Sequence, residues 1–449
     1  MTMLFRGPQR IGTPSSLLSS LLLPLALLIH VLVSGVAAQA ADTVVVATYE
    51  GVINPVSAEY LHDAIETAQA QQAVALIVRL DTPGGLDTSM RTIIKDFHGA
   101  TIPIVLYVSP SGGRAASAGV FLTIAAHVAA MAPGTNIGAA HPVAMGGGEM
   151  DKTMKDKVEN DAVAYIRSLA EQHGRNTKWA EDAVRKSVSV TEKEALDLHI
   201  IDLVADDVTD LLAKIDGRTV TVGATTVTLH TKDAAIHEFP LGTRLELLKA
   251  LSDPNIAYIL MTLGTIGLLA ELYNPGAILP GIVGAISLIM AFYSFQSLPV
   301  NYAGVLLMLL GMILLLLEIS VTSYGLLGIG GVISMVLGSL MLIKTDAPFL
   351  QISWSVILPV VGAAAGFLLF VLGMGLRAVR RPPTTGQEGM IGLIGVAKTN
   401  LEPHGHLLVQ GELWEAISDR PVPAGHHASI LRVEGLKLYV TPVLKEGEA

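Results

Sequence analysis

Between residues 254 and 381 the chain carries five apolar runs, at about 255–270, 278–295, 302–317, 326–343 and 356–376. Each approaches the roughly 17–25 residues needed to cross a hydrocarbon core. No other feature limits the fold so strongly, because a helix that is apolar all round needs lipid or a large protein interior around it. We read five spans, with four or six as alternatives, since the first run is short and interrupted by Gly264 and Gly267. Composition agrees: 51% of the 449 residues are hydrophobic, 15% are charged, and mean hydropathy is +0.55. That is too apolar for a wholly water-soluble chain. Arg377, Arg380 and Arg381 follow the last run, and positive charge marks the cytoplasmic side of a span.

The amino terminus has its own apolar run, at 17–36, preceded by Arg6 and Arg10 and followed by Ala38-Gln39-Ala40. A basic start, an apolar middle and small residues at the end describe a secretory signal over residues 1–40. An uncleaved anchor helix is the competing reading. Either way the next segment is exported. Five crossings then put that segment in the periplasm or outside the cell and the carboxyl terminus in the cytoplasm, for a multi-pass protein of the inner (cell) membrane. The chain has no cysteine, which excludes disulfides, thiolate metal sites and a cysteine nucleophile. Its formal net charge of −10 opposes nucleic-acid binding.

Residues 41–235 read as an α/β domain. Apolar strands are expected at 43–49, 73–80, 104–108 and 128–131, and helices at 56–70, 86–97 and about 154–172. Closing strands are expected at 200–204 and 219–231, and Thr191 with Glu194 forms a capping box. Alternating strands and helices imply a mostly parallel sheet, with sites at the carboxyl ends of its strands. Two glycine-rich loops fall there, 81–85 and 109–117. A linker at 236–253, the membrane region at 254–381 and a second linker at 382–388 lead to a carboxyl-terminal domain at 389–449. Its five short strands, near 393–398, 406–410, 413–417, 428–434 and 437–443, fit a small OB-like β-barrel. Few aromatics and little basic charge make nucleic acid a poor partner for it.

Within the membrane region a pattern repeats at a spacing of 47 residues: Glu271 with Glu318, Gly281 with Gly328, Gly284 with Gly331, Ile286 with Ile333, Ser287 with Ser334. Each copy joins an acidic residue, a glycine-bearing bend and a small-residue helix face. Close helix packing is the favoured reading and a partner or substrate surface the alternative.

The chemistry centres on Ser117, which stands among small residues where a turn becomes an apolar helix. Small neighbours leave a hydroxyl reachable, and free N–H groups at a helix start can hold an oxyanion. A serine nucleophile needs a base. His127 and His141 are the nearest histidines, with no acid obviously placed to orient either ring. Lysine serves instead where burial disfavours the ammonium form. Wheel geometry brings Lys155 nearer the apolar face of its helix than Lys157, and spacing alone leaves the choice open. No phosphate-cradling loop and no histidine-rich ligand spacing is present, so neither a cofactor nor a metal is expected.

Three stretches together resemble a known family: Asp81-Thr82-Pro83-Gly84-Gly85, Gly113-Arg114-Ala115-Ala116-Ser117-Ala118-Gly119, and Met131-Ala132-Pro133-Gly134-Thr135-Asn136-Ile137-Gly138-Ala139. In this order, followed by spans and by Glu388-Gly389-Met390-Ile391-Gly392, the chain is similar to the long-form NfeD membrane serine proteases of the ClpP class. The resemblance implies a multi-domain protein. Its parts would be an α/β ClpP/crotonase-like protease domain, an α-helical transmembrane bundle and the small β-barrel. It implies Ser117 as nucleophile and selects Lys157 as base, seven residues before the segment beginning at Ala164. It implies an oxyanion hole from the N–H groups of Gly85 and Ala118. Gly84, Leu86, Ile137, Gly138 and Ala139 would shape the substrate pocket. The implied activity is a Ser-Lys endopeptidase cutting near apolar segments of a peptide or protein, with a stomatin-like (SPFH) membrane protein as partner and substrate. A homo-oligomer, dimer or larger, is also implied. The alternative is a non-catalytic membrane scaffold for the same partner. Acyl-CoA chemistry, known on the wider fold, fits poorly because an exported domain lacks that cofactor. The sequence departs from the family at His199, where relatives often carry glycine, and no effect on chemistry is expected there.

Overall fold

The structure is a computed structural model that describes residue 7 and residues 42–143, 151–273, 275–276, 278–296, 298–321, 323–345, 347–379 and 386–443. Apart from residue 7, the expected signal at 1–40 lies outside these, as do Gly146-Gly147-Gly148, Arg380, Arg381 and the start of the 382–388 linker. The chain divides into two compact units. One runs to Ile313 and resumes over Ile329–Val361; the other takes in Leu314–Gly328 and the chain from Gly362.

Strand β1 (Thr43–Glu50) alternates its apolar residues between two cores: Val45 and Ala47 enter one, Val44 and Val46 the other. A strand buried on both faces needs cover on both, which the helices supply. Helix α1 (Pro55–Ala70) opens on a capping box between Asn54 and Ser57, with proline preset at its first position. Next come β2 (Ala75–Asp81), α2 (Asp87–Gly99), β3 (Ile104–Val108), β4 (Arg114–Ala116) and α3 (Ala118–Ala125). They are followed by β5 (Val128–Met131), β6 (Asn136–Gly138), α4 (Lys152–Gln172), α5 (Thr177–Arg185) and β7 (Ser189–Thr191). The domain ends with α6 (Glu192–Asp197), β8 (Leu203–Val204), α7 (Val208–Ile215), β9 (Thr219–Val222), β10 (Thr225–Thr228) and β11 (Ala235–Phe239).

Six strands form one parallel sheet in the order β11-β1-β2-β3-β5-β8. Strands β4, β6 and β7 form a second, smaller sheet. The expected closing strands are only partly realised. Leu203–Val204 joins the large sheet, but β9 and β10 pair only with each other as a hairpin. One sheet edge is β11, in register with β1 from Thr43↔Ala235 to Ala47↔Phe239. Its five residues are mostly exposed, so no buried face marks it in the sequence.

The apolar region forms α8 (Thr243–Leu251), α9 (Pro254–Tyr273), α10 (Leu279–Phe295), α11 (Tyr302–Ser320), α12 (Leu326–Leu342) and α13 (Trp354–Val379). Among the described residues α9 and α11 are long and apolar enough to cross a membrane. Small residues face inward and large apolar ones outward: Gly284, Ser287, Ala291 and Ser294 of α10 are buried, while Ile282, Ile286, Ile289 and Phe292 are exposed. That inversion suits lipid.

The repeat becomes two equivalent hairpins. A Cβ on Gly264 would meet Leu288 and the Gly284 carbonyl at 2.6 and 2.9 Å. One on Gly311, 47 residues on, would meet Met335 and the Gly331 carbonyl at 2.6 and 2.7 Å. The acidic residues tie the bends. Glu318 accepts bonds from the N–H groups of Gly325 and Gly328, both at 2.9 Å, and from the Ser323 hydroxyl. Glu271 accepts from Gly276 N–H at 3.1 Å. These contacts support the packing reading of the repeat.

After the short helix α14 (Gly386–Met390) come β12 (Ile394–Ala397), β13 (His404–Val409), β14 (Glu412–Ser418), β15 (His427–Glu434) and β16 (Lys437–Pro442). They close a barrel in the order β12-β13-β14-β16-β15, with β14 and β16 parallel, around Leu401, Leu407, Ala416, Ile430 and Leu438.

Candidate active site

The two glycine-rich loops are stitched side by side. Thr82 N–H donates to the Arg114 carbonyl at 2.8 Å, and Ala116 N–H to the Thr82 carbonyl at 3.0 Å. The buried Thr82 hydroxyl oxygen accepts from Gly84 N–H at 3.1 Å, and an Asp81 carboxylate oxygen from Arg114 N–H at 2.9 Å. The juxtaposition expected from two loops at strand ends is therefore a hydrogen-bonded ladder.

Ser117 caps α3 in a backbone conformation that a non-glycine residue rarely adopts, with φ 53° and ψ −112°. Such strain survives only where the surroundings enforce it, and it is concentrated at functional sites. Here Ser117 N–H is tied to the Gly138 carbonyl at 3.0 Å. Behind the helix, the guanidinium of buried Arg175 donates to the carbonyls of Thr123 and Ile124 at 2.8 and 2.5 Å and to Asp202 at 3.0 Å. Arg175 satisfies the far end of the helix that carries the serine. No sequence spacing links Arg175 to Ser117, so nothing in the sequence marks its role.

Most N–H groups around the serine already have acceptors. Ser117 N–H goes to Gly138, Gly84 N–H to Thr82, and Leu86 N–H to the Ile53 carbonyl at 2.8 Å. Among the described residues, the N–H groups of Gly85 and Ala118 make no hydrogen bond. A free donor at the first residue of a helix, with a second on the adjacent loop, is the arrangement an oxyanion needs.

Ser117, Gly85 and Ala118 open into a cavity of about 960 Å³ that Lys157, Arg91, Asp161 and His141 also line. Of the expected pocket residues, Leu86 and Ala139 line it as well. Gly84 lies behind Ser117. Ile137 and Gly138 do not reach the cavity: strand alternation sends Ile137 into the core, fully buried, and Gly138 packs against Val188 and Ser189. Lys157 is exposed, where a dry surround was expected, and no hydrogen bond joins it to Ser117 among the described residues.

The rival bases separate cleanly. Lys155 does not line the cavity. His127 lies elsewhere, its Nδ1 accepting from Ile104 N–H at 3.1 Å and its ring 6.0 Å from that of His173. Burial pushes the His127 imidazole down to about 4. His141 does line the cavity, with Nδ1 at 2.9 Å from the Val184 carbonyl, which leaves Nε2 available.

Comparison with known proteins adds to this geometry. Residues 43–238 match the NfeD1b N-terminal domain, 255–374 the NfeD integral membrane domain, and 387–442 the NfeD-like C-terminal, partner-binding domain. The chain is 34% identical over 420 residues to the membrane-bound protease PH1510 of Pyrococcus horikoshii, covering 91% of this chain and 95% of that protein. The chain belongs to the NfeD family. Another member, the membrane protein NfeD1b of Bacillus subtilis, is 27% identical over 419 residues, covering 90% of this chain and 93% of that one. Among solved structures, a 1510-N membrane protease from Pyrococcus horikoshii, described as specific for a stomatin homolog, is 33% identical, with a TM-score of 0.42. It covers 47% of this chain and 99% of that one. This NfeD chain joins a parallel-sheet α/β domain, a membrane region and a small β-barrel, and it is a membrane protein.

Proposed function

We propose that this NfeD chain is a membrane-anchored serine endopeptidase in which Ser117 attacks the peptide carbonyl and Lys157 takes its proton. The observation that carries this reading is the strained Ser117 at the start of α3, flanked by the unused N–H groups of Gly85 and Ala118 in one cavity with Lys157. As the hydroxyl adds to the carbonyl, negative charge develops on the carbonyl oxygen. Two donors aimed at that charge are worth roughly 3 kcal/mol each. The protonated lysine then protonates the leaving amine, and water releases the acyl-enzyme. A peptide lying across the cavity covers Lys157 and removes water from its ammonium, which favours the neutral, basic form.

The specificity of the Pyrococcus horikoshii protease for a stomatin homolog supports a stomatin-like membrane protein as substrate and partner. The match of residues 387–442 to a partner-binding domain supports the barrel as a contact for that partner. The inverted surface of α10 supports helices set in lipid and a multi-pass topology; an exported protease domain, a cytoplasmic barrel and a homo-oligomer are further parts of this reading.

A second reading, a non-catalytic scaffold for the same partner, draws on the exposure of Lys157 and its missing bond to Ser117. One experiment separates the two. The full chain in detergent is treated with a fluorophosphonate probe and with apolar peptides, beside Ser117→Ala, Lys157→Ala, Lys155→Ala and His141→Ala. The protease reading expects labelling and cleavage that Ser117→Ala abolishes and Lys157→Ala reduces by at least about a thousandfold, given non-additive dyad chemistry. Inert wild type supports the scaffold, and loss in His141→Ala alone moves the base to His141.

A further inference from the structure

Four residues of the cavity wall belong to the membrane region: Leu298, from the connection between α10 and α11, and Ala347, Phe349 and Leu350, from that between α12 and α13. All four fall inside the stretch matched by the integral membrane domain. The two connections are held to each other and to the helix bundle. Val300 bridges Ile343, and Asn301 N–H donates to the Leu342 carbonyl at 2.8 Å. Within the second connection, Ala347 N–H donates to the Thr345 hydroxyl and Leu350 N–H to the Ala347 carbonyl, both at 3.1 Å. Ser353 N–H then donates to the Asn255 side chain at the head of α9, at 2.8 Å. Leu298 and Leu350 are 8% and 5% exposed, so this is a packed wall.

The chemistry of the wall is one-sided. The four membrane-region residues carry no charge, whereas Asp87, Arg91, Arg114, Lys157 and Asp161 all belong to the protease side. At about 960 Å³ the cavity is at the top of the range of roughly 300–1,000 Å³ for ligand pockets, room for several residues of extended peptide. We infer that the membrane region is a working part of the substrate site: Leu298, Ala347, Phe349 and Leu350 form an apolar subsite that grips an apolar stretch of the peptide beside the bond presented to Ser117. This rests on the endopeptidase reading for its consequence in turnover, but binding to the wall needs no chemistry.

The test therefore measures both. A fluorescent peptide with an apolar flank, and one with the same central residues but serine and glutamine flanks, are titrated onto the full-length Ser117→Ala protein in nanodiscs. The titration is repeated with Phe349→Ser/Leu350→Ser and with Phe349→Leu added. The serine pair is expected to weaken the apolar peptide by about tenfold, the scale of losing one half-buried apolar side chain, and to leave the polar peptide unchanged. Phe349→Leu, which stays apolar and guards against a folding artefact, keeps affinity within about threefold. In the Ser117 background the serine pair raises KM for the apolar peptide and leaves kcat and the probe-labelling rate unchanged. Equal weakening of both peptides, or of neither, overturns the subsite. Apolar-peptide binding that depends on Phe349 in a chain that never cleaves overturns the protease reading and leaves the subsite standing.

Discussion

Gly84 faces Ser117 so closely that a Cβ on Gly84 would lie 2.6 Å from the serine Cβ and 3.1 Å from its Oγ. Its φ of +117° is also one that side-chain-bearing residues rarely adopt. The glycine thus fixes both the loop that presents Gly85 N–H and the space in which the serine hydroxyl turns. Gly84→Ala is expected to lower kcat/KM by about a hundredfold or more, the cost of roughly an ångström of misplacement at a reacting group. Because the contact is local, the far-ultraviolet circular dichroism spectrum stays unchanged. Wild-type turnover in Gly84→Ala would mean that the reacting atoms lie elsewhere.

A second relationship lies across the cavity. Arg91 donates to Asp161 at 2.6 Å and to Asp87 at 2.8 Å, and it stacks over the Tyr165 ring 4.3 Å from the centroid. Asp161 is four residues beyond Lys157 on α4, the spacing at which helical side chains meet. Arg91 therefore occupies a carboxylate that would otherwise stand beside a lysine that must be neutral to act. Arg91→Met frees that carboxylate, and the acid limb of the kcat/KM profile is expected to move to higher pH. The further change Asp161→Asn moves it back. Loss of activity at all pH values, with no displacement of the limb, would assign Arg91 a purely structural role.

The main layers were legible because burial leaves a period. The strands at 104–108 and 128–131 match the sequence reading residue for residue, since both faces of each are apolar. Each of the five apolar runs became a helix, and the 47-residue repeat became two hairpins with matching glycine contacts. What escaped has no local signature. Leu298 and Phe349 reach the cavity from connections far from Ser117 in sequence, and no periodicity says where a connection lands. Arg175 supports the serine helix through carbonyl groups, which any sequence offers. Ile137, Gly138 and Ala139 are adjacent in a motif that suggests one pocket wall, but Ile137 turns into the core from β6, whereas Ala139, just past the strand with φ +52°, alone of the three lines the cavity. The base was narrowed by resemblance, since neither a helical wheel nor spacing separates Lys155 from Lys157.

Away from the cavity, three imidazoles gather where α2, α3 and α4 end. The His173 ring lies 5.9 Å from that of His98 and 6.0 Å from that of His127. Burial, with Arg175 and the neighbouring rings as lesser causes, pushes His173 down to about 3; burial pushes His127 to about 4 and lowers His98. Asp202 opposes this for His173. Unfolded imidazoles take protons near 6.5, whereas the folded ones stay neutral well below it. The stability associated with the neutral cluster is thus complete above about pH 6.5 and is lost as pH falls toward 4 and 3. Thermal midpoints of the full chain should decline over that interval. His173→Leu should flatten the decline, whereas an unchanged slope would place the acid sensitivity in other groups.

His199 has a structural cost that can be measured. It follows the last turn of α6 with φ +56°, its N–H donating to Leu196 at 3.0 Å and Ile200 N–H to Ala195 at 2.8 Å. That is the left-handed helix end at which glycine is preferred, because a side chain there costs roughly 1 kcal/mol. The His199 side chain is exposed, so its removal sacrifices little packing. His199→Gly should therefore raise the thermal midpoint of the full chain and slow hydrogen exchange at the Ile200 and Ile201 amides. The two residues after His199 lead to Asp202, which holds Arg175 against the far end of the serine helix. If that linkage is rigid, a better helix end at 199 leaves Ser117 where it was, and probe labelling keeps its rate. A changed labelling rate would mean that strain at His199 is transmitted through Asp202 and Arg175 to the nucleophile.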